Sequence, residues 1–296
     1  MTFDCRLLRS WLFVPGDSER KLARGWSAGA DALIIDLEDA VAPERKVLAR
    51  DIAADAIRER RDRRSMVSIR VNAVDTGLTR DDIASTFRCR PDAYVLPKVM
   101  EVEDVRGVSR YLGELEARAG MPAGATGLIP IVTEHPRAVF RLEALCASDP
   151  RVAGIIWGSE DLSAALGARR VKDESGAMLD VFRIVRALAL LAGGAAGIAV
   201  IDTPVVELGA LDTLRKESLE AAAMGFTGKL VIHPSQVGPV NDAFLPTAEE
   251  VAYARALVAA SAGASGAFRF EEKMIDAPHL KSAQRIVALA SAHARS

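Results

Sequence analysis

Carboxylates, one arginine and one lysine stand where the apolar runs of this sequence end. Asp36, Glu38 and Asp39 close ALIIDLED, Arg70 and Asn72 close SIRVN, and Lys98 lies in AYVLPKV. Glu134 follows GLIPIV, Glu160 and Asp161 follow VAGIIW, Asp202 follows GIAVI, and His233 follows KLVI. Two or three carboxylates from separate segments, without clustered His or Cys, suit a hard divalent cation such as Mg²⁺ that keeps water or substrate ligands. Such a cation would polarise a substrate oxygen as a Lewis acid. No Ser-His-Asp or Cys-His arrangement is suggested, so nucleophilic acyl transfer is the weaker reading. A guanidinium at Arg70 is costly inside an apolar strand unless it meets a carboxylate. That carboxylate is either a substrate acid or an internal one such as Glu38, and the pattern leaves both open. Any single acid of the set could equally brace the fold by pairing with Arg70, Lys98 or backbone amides. Lys98 could be imagined as a Schiff-base lysine at an apolar strand end, but the carboxylates give a complete mechanism without it.

These residues need a scaffold that brings strand ends together. Strand-like runs are expected at Arg9 to Val14, Ala32 to Leu37, Met66 to Val71, Ala93 to Val99, Gly127 to Val132, Val152 to Trp157, Gly197 to Ile201 and Lys229 to Ile232. Helical stretches separate them, among them Ser18 to Ala28, Pro43 to about Arg61, Asp81 to Phe87, Val102 to Ala119, Pro136 to Cys146 and Val181 to Leu191. Strands alternating with helices predict parallel pairing. Eight such units match a (β/α)8 TIM barrel, whose active-site face lies at the C-terminal strand ends. A Rossmann reading lacks its G-x-G-x-x-G after the first strand. The barrel is expected over residues 1–245. A C-terminal extension over residues 246–296 would hold a helix near Ala248 to Ala260, a hinge at Ala262 to Ala267, a short strand pair or loop, and a terminal helix. It is read as too short to form its own core.

The chain's 296 residues carry 38 Lys plus Arg against 40 Asp plus Glu, a net charge of -2 with no charged tail. Phosphate recognition needs a clustered positive footprint, so nucleic acid is not expected as a partner. The longest apolar run, Ala187 to Ile201, is glycine-interrupted and too short for a bilayer, and the N-terminus lacks the apolar core of a secretory signal. Cys5, Cys89 and Cys146 have no ligand spacing, which suggests reduced thiols and a cytoplasmic setting.

The stretches RSWLFVPGDSERKLARG, GADALIIDLEDAVAPERK, SIRVN, YVLPKV, IPIVTEHPRAV, IIWGSEDLSAALG and GFTGKLVIHPSQV resemble the HpcH/HpaI aldolase and citrate lyase β-subunit superfamily. The tail EEKMIDAPHLKSAQRI is similar to that of its citrate lyase β-subunit-like branch, which includes malyl-CoA and citramalyl-CoA lyases. The resemblance runs from about Arg9 to Ala288. It implies a Mg²⁺ enzyme, commonly a trimer, that makes or breaks a carbon-carbon bond between a 2-oxo acid and the acetyl group of a coenzyme A thioester. Carried over residue by residue, it makes Glu134 and Asp161 metal ligands and Arg70 the clamp beside the thioester carbonyl. Asp276 becomes an acid/base delivered from a neighbouring subunit's tail. Retro-Claisen cleavage of a 3-hydroxyacyl-CoA would follow, with Arg70 stabilising the thioester enolate and Asp276 protonating it.

Asp36 and Glu38 are expected to face the substrate. Arg20 and Lys21, with Arg24 on the same helix, could meet the phosphates of coenzyme A, although a solvated helix face is at least as good a reading. Arg169 and Arg170 are a similar bet. Arg58 to Arg64 should lie on the opposite, stability face, and His233 should be structural. The expected partner is a small-molecule CoA thioester, in a homo-oligomer (trimer or hexamer) with no membrane contact. Two alternatives keep the site: a malyl-CoA thioesterase or malate-synthase-like enzyme, and the β-subunit of a citrate lyase complex working with acyl carrier and transferase subunits. A catalytically dead scaffold is disfavoured because Arg70, Glu134, Asp161 and Asp276 are all present.

Overall fold

Strands buried on both faces read as continuous apolar runs, because helices cover the outside and side chains fill the inside. In the computed structural model, which describes residues 4–60, 64–263 and 266–294, these runs form eight parallel strands. They are β1 (Ser10–Pro15), β2 (Ala32–Asp36), β3 (Met66–Arg70), β4 (Ala93–Leu96), β5 (Gly127–Pro130), β6 (Gly154–Ile156), β7 (Ala199–Asp202) and β8 (Gly228–Val231). The helices between them are α1 (Glu19–Trp26), α2 (Lys46–Glu59), α3 (Thr79–Thr86), α4 (Val102–Arg118), α5 (Pro136–Val139), α6 (Leu142–Cys146), α7 (Glu160–Leu166), α8 (Asp180–Ala196) and α9 (Leu211–Met224). The strand order is β5-β4-β3-β2-β1-β8-β7-β6. Backbone bonds close the ring between β5 and β6: Leu128 N–H to Arg151 O at 2.8 Å, Ala153 N–H to Leu128 O at 3.0 Å, and Val132 N–H to Ile156 O at 3.1 Å. The fold is a (β/α)8 barrel.

One apolar cluster fills the interior, with Trp11, Ile34, Val95, Ile129, Ile131, Ile156, Ile201 and Leu230 among its members. The β2–β3 register sets Asp36 directly beside Arg70 at the C-terminal end. Caps confine the helices to their segments. Ser18 accepts the Lys21 N–H at the start of α1 (3.4 Å), and Glu101 and Asp104 form a reciprocal capping box on α4.

Several boundaries differ from the expected ones for identifiable reasons. Strand β4 stops at Leu96 because Pro97 has no N–H to donate and Lys98 is left-handed, with φ 53°. The expected helix Pro136 to Cys146 is two short helices, broken at Phe140 and Arg141. Helix α8 runs through Gly193 and Gly194 to Ala196, beyond its expected end at Leu191. Gly193 is a packing position, since a Cβ there would collide with the Val200 side chain, and the helix ends at left-handed Gly197 instead. In the Arg58 to Arg64 cluster, residues 61–63 lie outside the described residues, as do residues 264–265 of the expected hinge.

The chain divides into two compact units, Met1–Asn241 and Asp242–Ser296, with the division inside α10 (Val237–Phe244). The second unit holds α11 (Ala248–Ala260), the antiparallel pair β9 (Phe268–Phe270) and β10 (Lys273–Ile275), and α12 (Ala277–His293). Contrary to expectation it has a small core of its own. Ala254, Leu257, Ile275 and Ala283 are buried together, and Tyr253 meets Phe270 edge-on at 5.6 Å. Among the described residues no helix is long and apolar enough to cross a membrane.

Candidate active site

Asp36 is the last residue of β2 and is buried. Its two oxygens accept the backbone N–H groups of Glu38 (2.9 Å) and Ala40 (3.0 Å), folding the chain sharply out of the strand. The same oxygens take Nε and Nη2 of Arg70, each at 2.7 Å. Nη1 of Arg70 lies 3.1 Å from Glu38 Oε2, and the guanidinium carbon sits 4.7 Å above the Phe13 ring. Burial pushes the Asp36 carboxyl up, but the Arg70 bonds and charge, with the two N–H groups, outweigh it and hold the carboxyl below the usual range. The choice left open for Arg70 therefore has a definite internal half: its fork is held by Asp36 and supported by Glu38. A guanidinium carries more N–H donors than these contacts use, so donors remain for a ligand oxygen.

Glu134, beyond the end of β5, is 5% exposed, and one of its oxygens accepts the backbone N–H of Lys98. That bond depends on the left-handed backbone at Lys98. Burial pushes the Glu134 carboxyl up to about 8; the Lys98 N–H opposes this, while the charges of Asp161 and Glu38 add to it. The Lys98 ammonium meets Glu38 Oε1 at 2.7 Å and Asp39 Oδ1 at 3.1 Å, with Asp161 Oδ1 at 4.0 Å. Burial would lower the Lys98 pKa, but Glu38 and Asp39 overcome it and raise it, which leaves an ammonium with no nucleophilic lone pair. The Schiff-base alternative loses its chemistry on this ground.

Asp161 lies in the first turn of α7, directly after the β6 exit. A clamp absent from the sequence reading ties the β5 and β6 exits together. Thr133 Oγ1 accepts the Gly158 N–H (2.8 Å) and donates to the Gly158 carbonyl (3.1 Å). A lone threonine hydroxyl between apolar strands gives no sequence signal of this role. Gln236 was also missed: it accepts the Ile232 N–H (2.9 Å) and donates to Val205 O (2.8 Å), tying the last two strand exits.

Arg70, Glu134, Asp161, Asp36, Asp39 and Glu160 line a cavity of about 410 Å³ together with Phe13, Ile131, Ile156, Leu230 and Ile232. Glu38 adjoins it behind Arg70 and Lys98. A larger groove of about 730 Å³ between α1 and α2 contains none of the strand-exit residues. Among the described residues no three His, Cys, Asp or Glu side chains form a metal cage. Two carboxylates, one buried and raised partly by the other's charge, are a donor set that fits a divalent cation retaining water and substrate ligands.

Asp202 does not join this mouth, a correction to the reading of its strand exit. It is fully buried and accepts Trp157 Nε1 (2.6 Å), Arg186 Nε (3.0 Å) and Lys229 Nζ (2.8 Å). It braces β6, β7, β8 and α8. His233 caps a short turn through Ser235, as a structural residue would (2.8 Å). Arg20 and Lys21 are exposed on the first turn of α1, Arg169 and Arg170 are exposed after α7, and Arg170 lies 3.7 Å from Glu174. In the second unit, Asp276 caps α12 and pairs with His279, both about half exposed.

A family model described as HpcH/HpaI aldolase/citrate lyase matches residues 9–234. The mitochondrial citramalyl-CoA lyase of Rattus norvegicus is 33% identical over 297 residues, covering 96% of this chain and 86% of that one. The (3S)-malyl-CoA thioesterase of Cereibacter sphaeroides is 31% identical over 296 residues, covering 99% and 98%. A crystal structure of CitE from Mycobacterium tuberculosis, in complex with magnesium, acetoacetate and coenzyme A, superposes with a TM-score of 0.76. It is 31% identical and covers 97% of this chain and 99% of its own.

Proposed function

Because the chain belongs to the HpcH/HpaI aldolase/citrate lyase family, we propose that it is a Mg²⁺-dependent carbon-carbon lyase. It cleaves a 3-hydroxyacyl-CoA such as malyl-CoA or citramalyl-CoA to acetyl-CoA and a 2-oxo acid. The observation that carries this reading is buried Glu134 facing the same cavity as Asp161 and the pre-paired Arg70. Glu134 and Asp161 would hold the metal, which when bound supplies Lewis-acid polarisation of the substrate's hydroxyl and carboxylate.

The chain's own residues do the rest. Asp36 and Glu38 lock the Arg70 fork, so its charge needs little reorganisation when the thioester oxygen becomes an enolate. Stabilisation of a charge that develops only during the reaction raises the rate rather than ground-state affinity. As the carbon-carbon bond breaks, the hydroxyl gives up its proton to solvent and becomes the carbonyl of the 2-oxo acid, the bond's electron pair moves to the α-carbon of the thioester, and a protonated Asp276 of a neighbouring copy supplies the proton that the α-carbon takes up. That assignment follows the resemblance of the tail EEKMIDAPHLKSAQRI to the citrate lyase β-subunit-like branch. Lys98 aligns Glu134 through its N–H and keeps Glu38 in place through its ammonium. Arg20 and Lys21 are the residues we assign to the coenzyme A phosphates, on the exposed turn that follows β1.

Assembly into a homo-oligomer, a trimer or hexamer, is supported by α8. Val181, Ile184, Leu188 and Leu191 form an exposed apolar stripe along it, and patches of this kind mark interaction surfaces. A cytoplasmic setting accords with three buried cysteines that form no disulfide.

Similarity to a malyl-CoA thioesterase favours a second reading in which the same site releases free CoA. Product analysis of purified protein with malyl-CoA and citramalyl-CoA, with Mg²⁺ and then with EDTA, separates the readings. Metal-dependent acetyl-CoA plus glyoxylate or pyruvate is the expected result. Free CoA with the intact hydroxy acid would make the protein a thioesterase, and no turnover would point to a subunit that needs a carrier-bound thioester.

A further inference from the structure

Lys46 opens α2 beside the turn that leaves β2, and its ammonium donates to two carbonyls of that turn, Leu37 O at 2.8 Å and Glu38 O at 2.7 Å. Leu37 O also accepts Nδ2 of Asn72, at 3.0 Å. Asn72 in turn gives its backbone N–H (2.7 Å) and Nδ2 (2.8 Å) to one oxygen of Asp82, a fully buried carboxylate whose other oxygen takes Nε of Arg50 at 2.7 Å. One bonded network thus ties the β2 exit to the β3 exit and to helices α2 and α3.

A lysine is a costly residue at this position. As the first residue of α2 it meets the positive end of the helix dipole. Burial also lowers its pKa, against the charges of Asp36 and Glu38. An uncharged side chain would avoid both costs, so what the ammonium contributes is its pair of bonds to the backbone.

The turn so held carries the groups around Arg70. Asp36 stands at its start and takes the Arg70 fork at 2.7 Å. Glu38 lies within it, with Oε1 2.7 Å from Lys98 Nζ. Its other oxygen, Oε2, is buried with no hydrogen-bond partner among the described residues, yet lies 3.1 Å from Arg70 Nη1. That approach is therefore set by the Glu38 backbone and the Lys98 bond. Lys46 does not line the cavity that holds Arg70, Glu134 and Asp161, and it reaches Arg70 only through this turn.

We propose that Lys46 is a positioning residue for the thioester half of the site: by holding the Leu37 and Glu38 carbonyls it sets the Glu38 carboxylate beside Arg70. This rests on the reading of Arg70 as the group that faces the developing enolate, and deepens it. Glu134 and Asp161 are placed from elsewhere, by the Lys98 N–H and by the first turn of α7.

The test is a graded series, Lys46→Arg, Lys46→Gln and Lys46→Met, in the full-length protein. Each is measured for cleavage of malyl-CoA and citramalyl-CoA, for Mg²⁺ affinity by calorimetry and for thermal unfolding. Lys46→Met keeps the stem and removes every donor; kcat should fall about ten- to hundredfold, the scale of a small misplacement of a reacting group. KM should stay within about twofold and Mg²⁺ affinity within about threefold, a split that a loss of fold would not produce. Lys46→Gln, with one amide to donate, should fall between Met and wild type, and Lys46→Arg should recover most of kcat. If Lys46→Met does not fold, Lys46→Gln decides by the same split. Wild-type kcat in the folded variants, with Arg70→Lys impaired, would overturn the inference alone. Mg²⁺ binding lost in step with kcat would also overturn it, since Lys46 would then support the whole mouth. Wild-type turnover by Arg70→Lys would sink the reading of Arg70 and the inference with it.

Discussion

Asp36 and Arg70 stand side by side in the β2–β3 register, and two hydrogen bonds of 2.7 Å join them at the C-terminal mouth of the barrel. A carboxylate that looked substrate-facing is thus the anchor of the arginine that faces the substrate. Bidentate pairing fixes both the position and the plane of the guanidinium, which a single contact to Glu38 would not do.

Replacing Arg70 with Lys should keep the positive charge but lose the fork. Turnover is expected to fall about a hundredfold or more, the scale of removing one oriented donor from a developing anion. Arg70→Ala should in addition destabilise the fold by about 3–5 kcal/mol, because Asp36 would be left buried and unpaired. Steady-state kinetics and urea unfolding of the two variants separate these effects.

Glu134 makes Mg²⁺ binding depend on pH. Its carboxyl is pushed up to about 8 in the metal-free protein, against an ordinary value near 4.5. A carboxyl raised in the folded state favours the metal-free fold at low pH, and that advantage is lost as pH climbs from about 4.5 through about 8. Magnesium needs the ionised form. Its affinity should therefore rise about tenfold per pH unit until about pH 8 and then level off. Titration of wild type and Glu134→Gln checks this: the variant should bind weakly, with no such slope.

Asp202 predicts stability rather than activity. Burial pushes its carboxyl up, but Lys229 and Arg186 more than compensate and hold it below the usual 3.8. Its stabilising contribution is present above about 3.8 and is lost as pH falls through the depressed folded value. Asp202→Asn would leave two cations beside a neutral amide and should cost about 3–5 kcal/mol. Urea unfolding at neutral pH measures it. In the acid range, the difference between wild type and variant should shrink.

The barrel and the members of its mouth were legible because strand exits can be counted, and a closed barrel brings all of them to one face. Which way a side chain turns there was not. Asp202 ends an apolar run just as Asp36 does, yet both faces of a barrel strand are buried, so no alternation marks it as turned toward α8. The left-handed backbone of Lys98 and the Thr133–Gly158 clamp leave no trace in composition either. They exist only once β4, β5 and β6 are adjacent. The small core of the tail was missed because it is assembled from the β9–β10 pair and two helices, whose members meet only once the strand pair has folded between them.

Asp276 tests the assembly. Mixing Asp276→Ala chains with Arg70→Ala chains should restore part of the activity, since a mixed oligomer pairs an intact barrel with an intact tail from another copy. Mixed oligomers as inactive as either parent would mean that the acid acts within its own chain or not at all.

The central claim is that Glu134 and Asp161 hold the metal on which turnover depends. Its most direct test is Mg²⁺ calorimetry and CoA-thioester cleavage measured side by side on wild type and Asp161→Ala, with circular dichroism and sedimentation confirming fold and assembly. Asp161 is partly exposed, so the substitution should leave the fold intact. The account predicts that Mg²⁺ binding and cleavage are lost together in a folded variant, whereas wild-type cleavage by Asp161→Ala would contradict it.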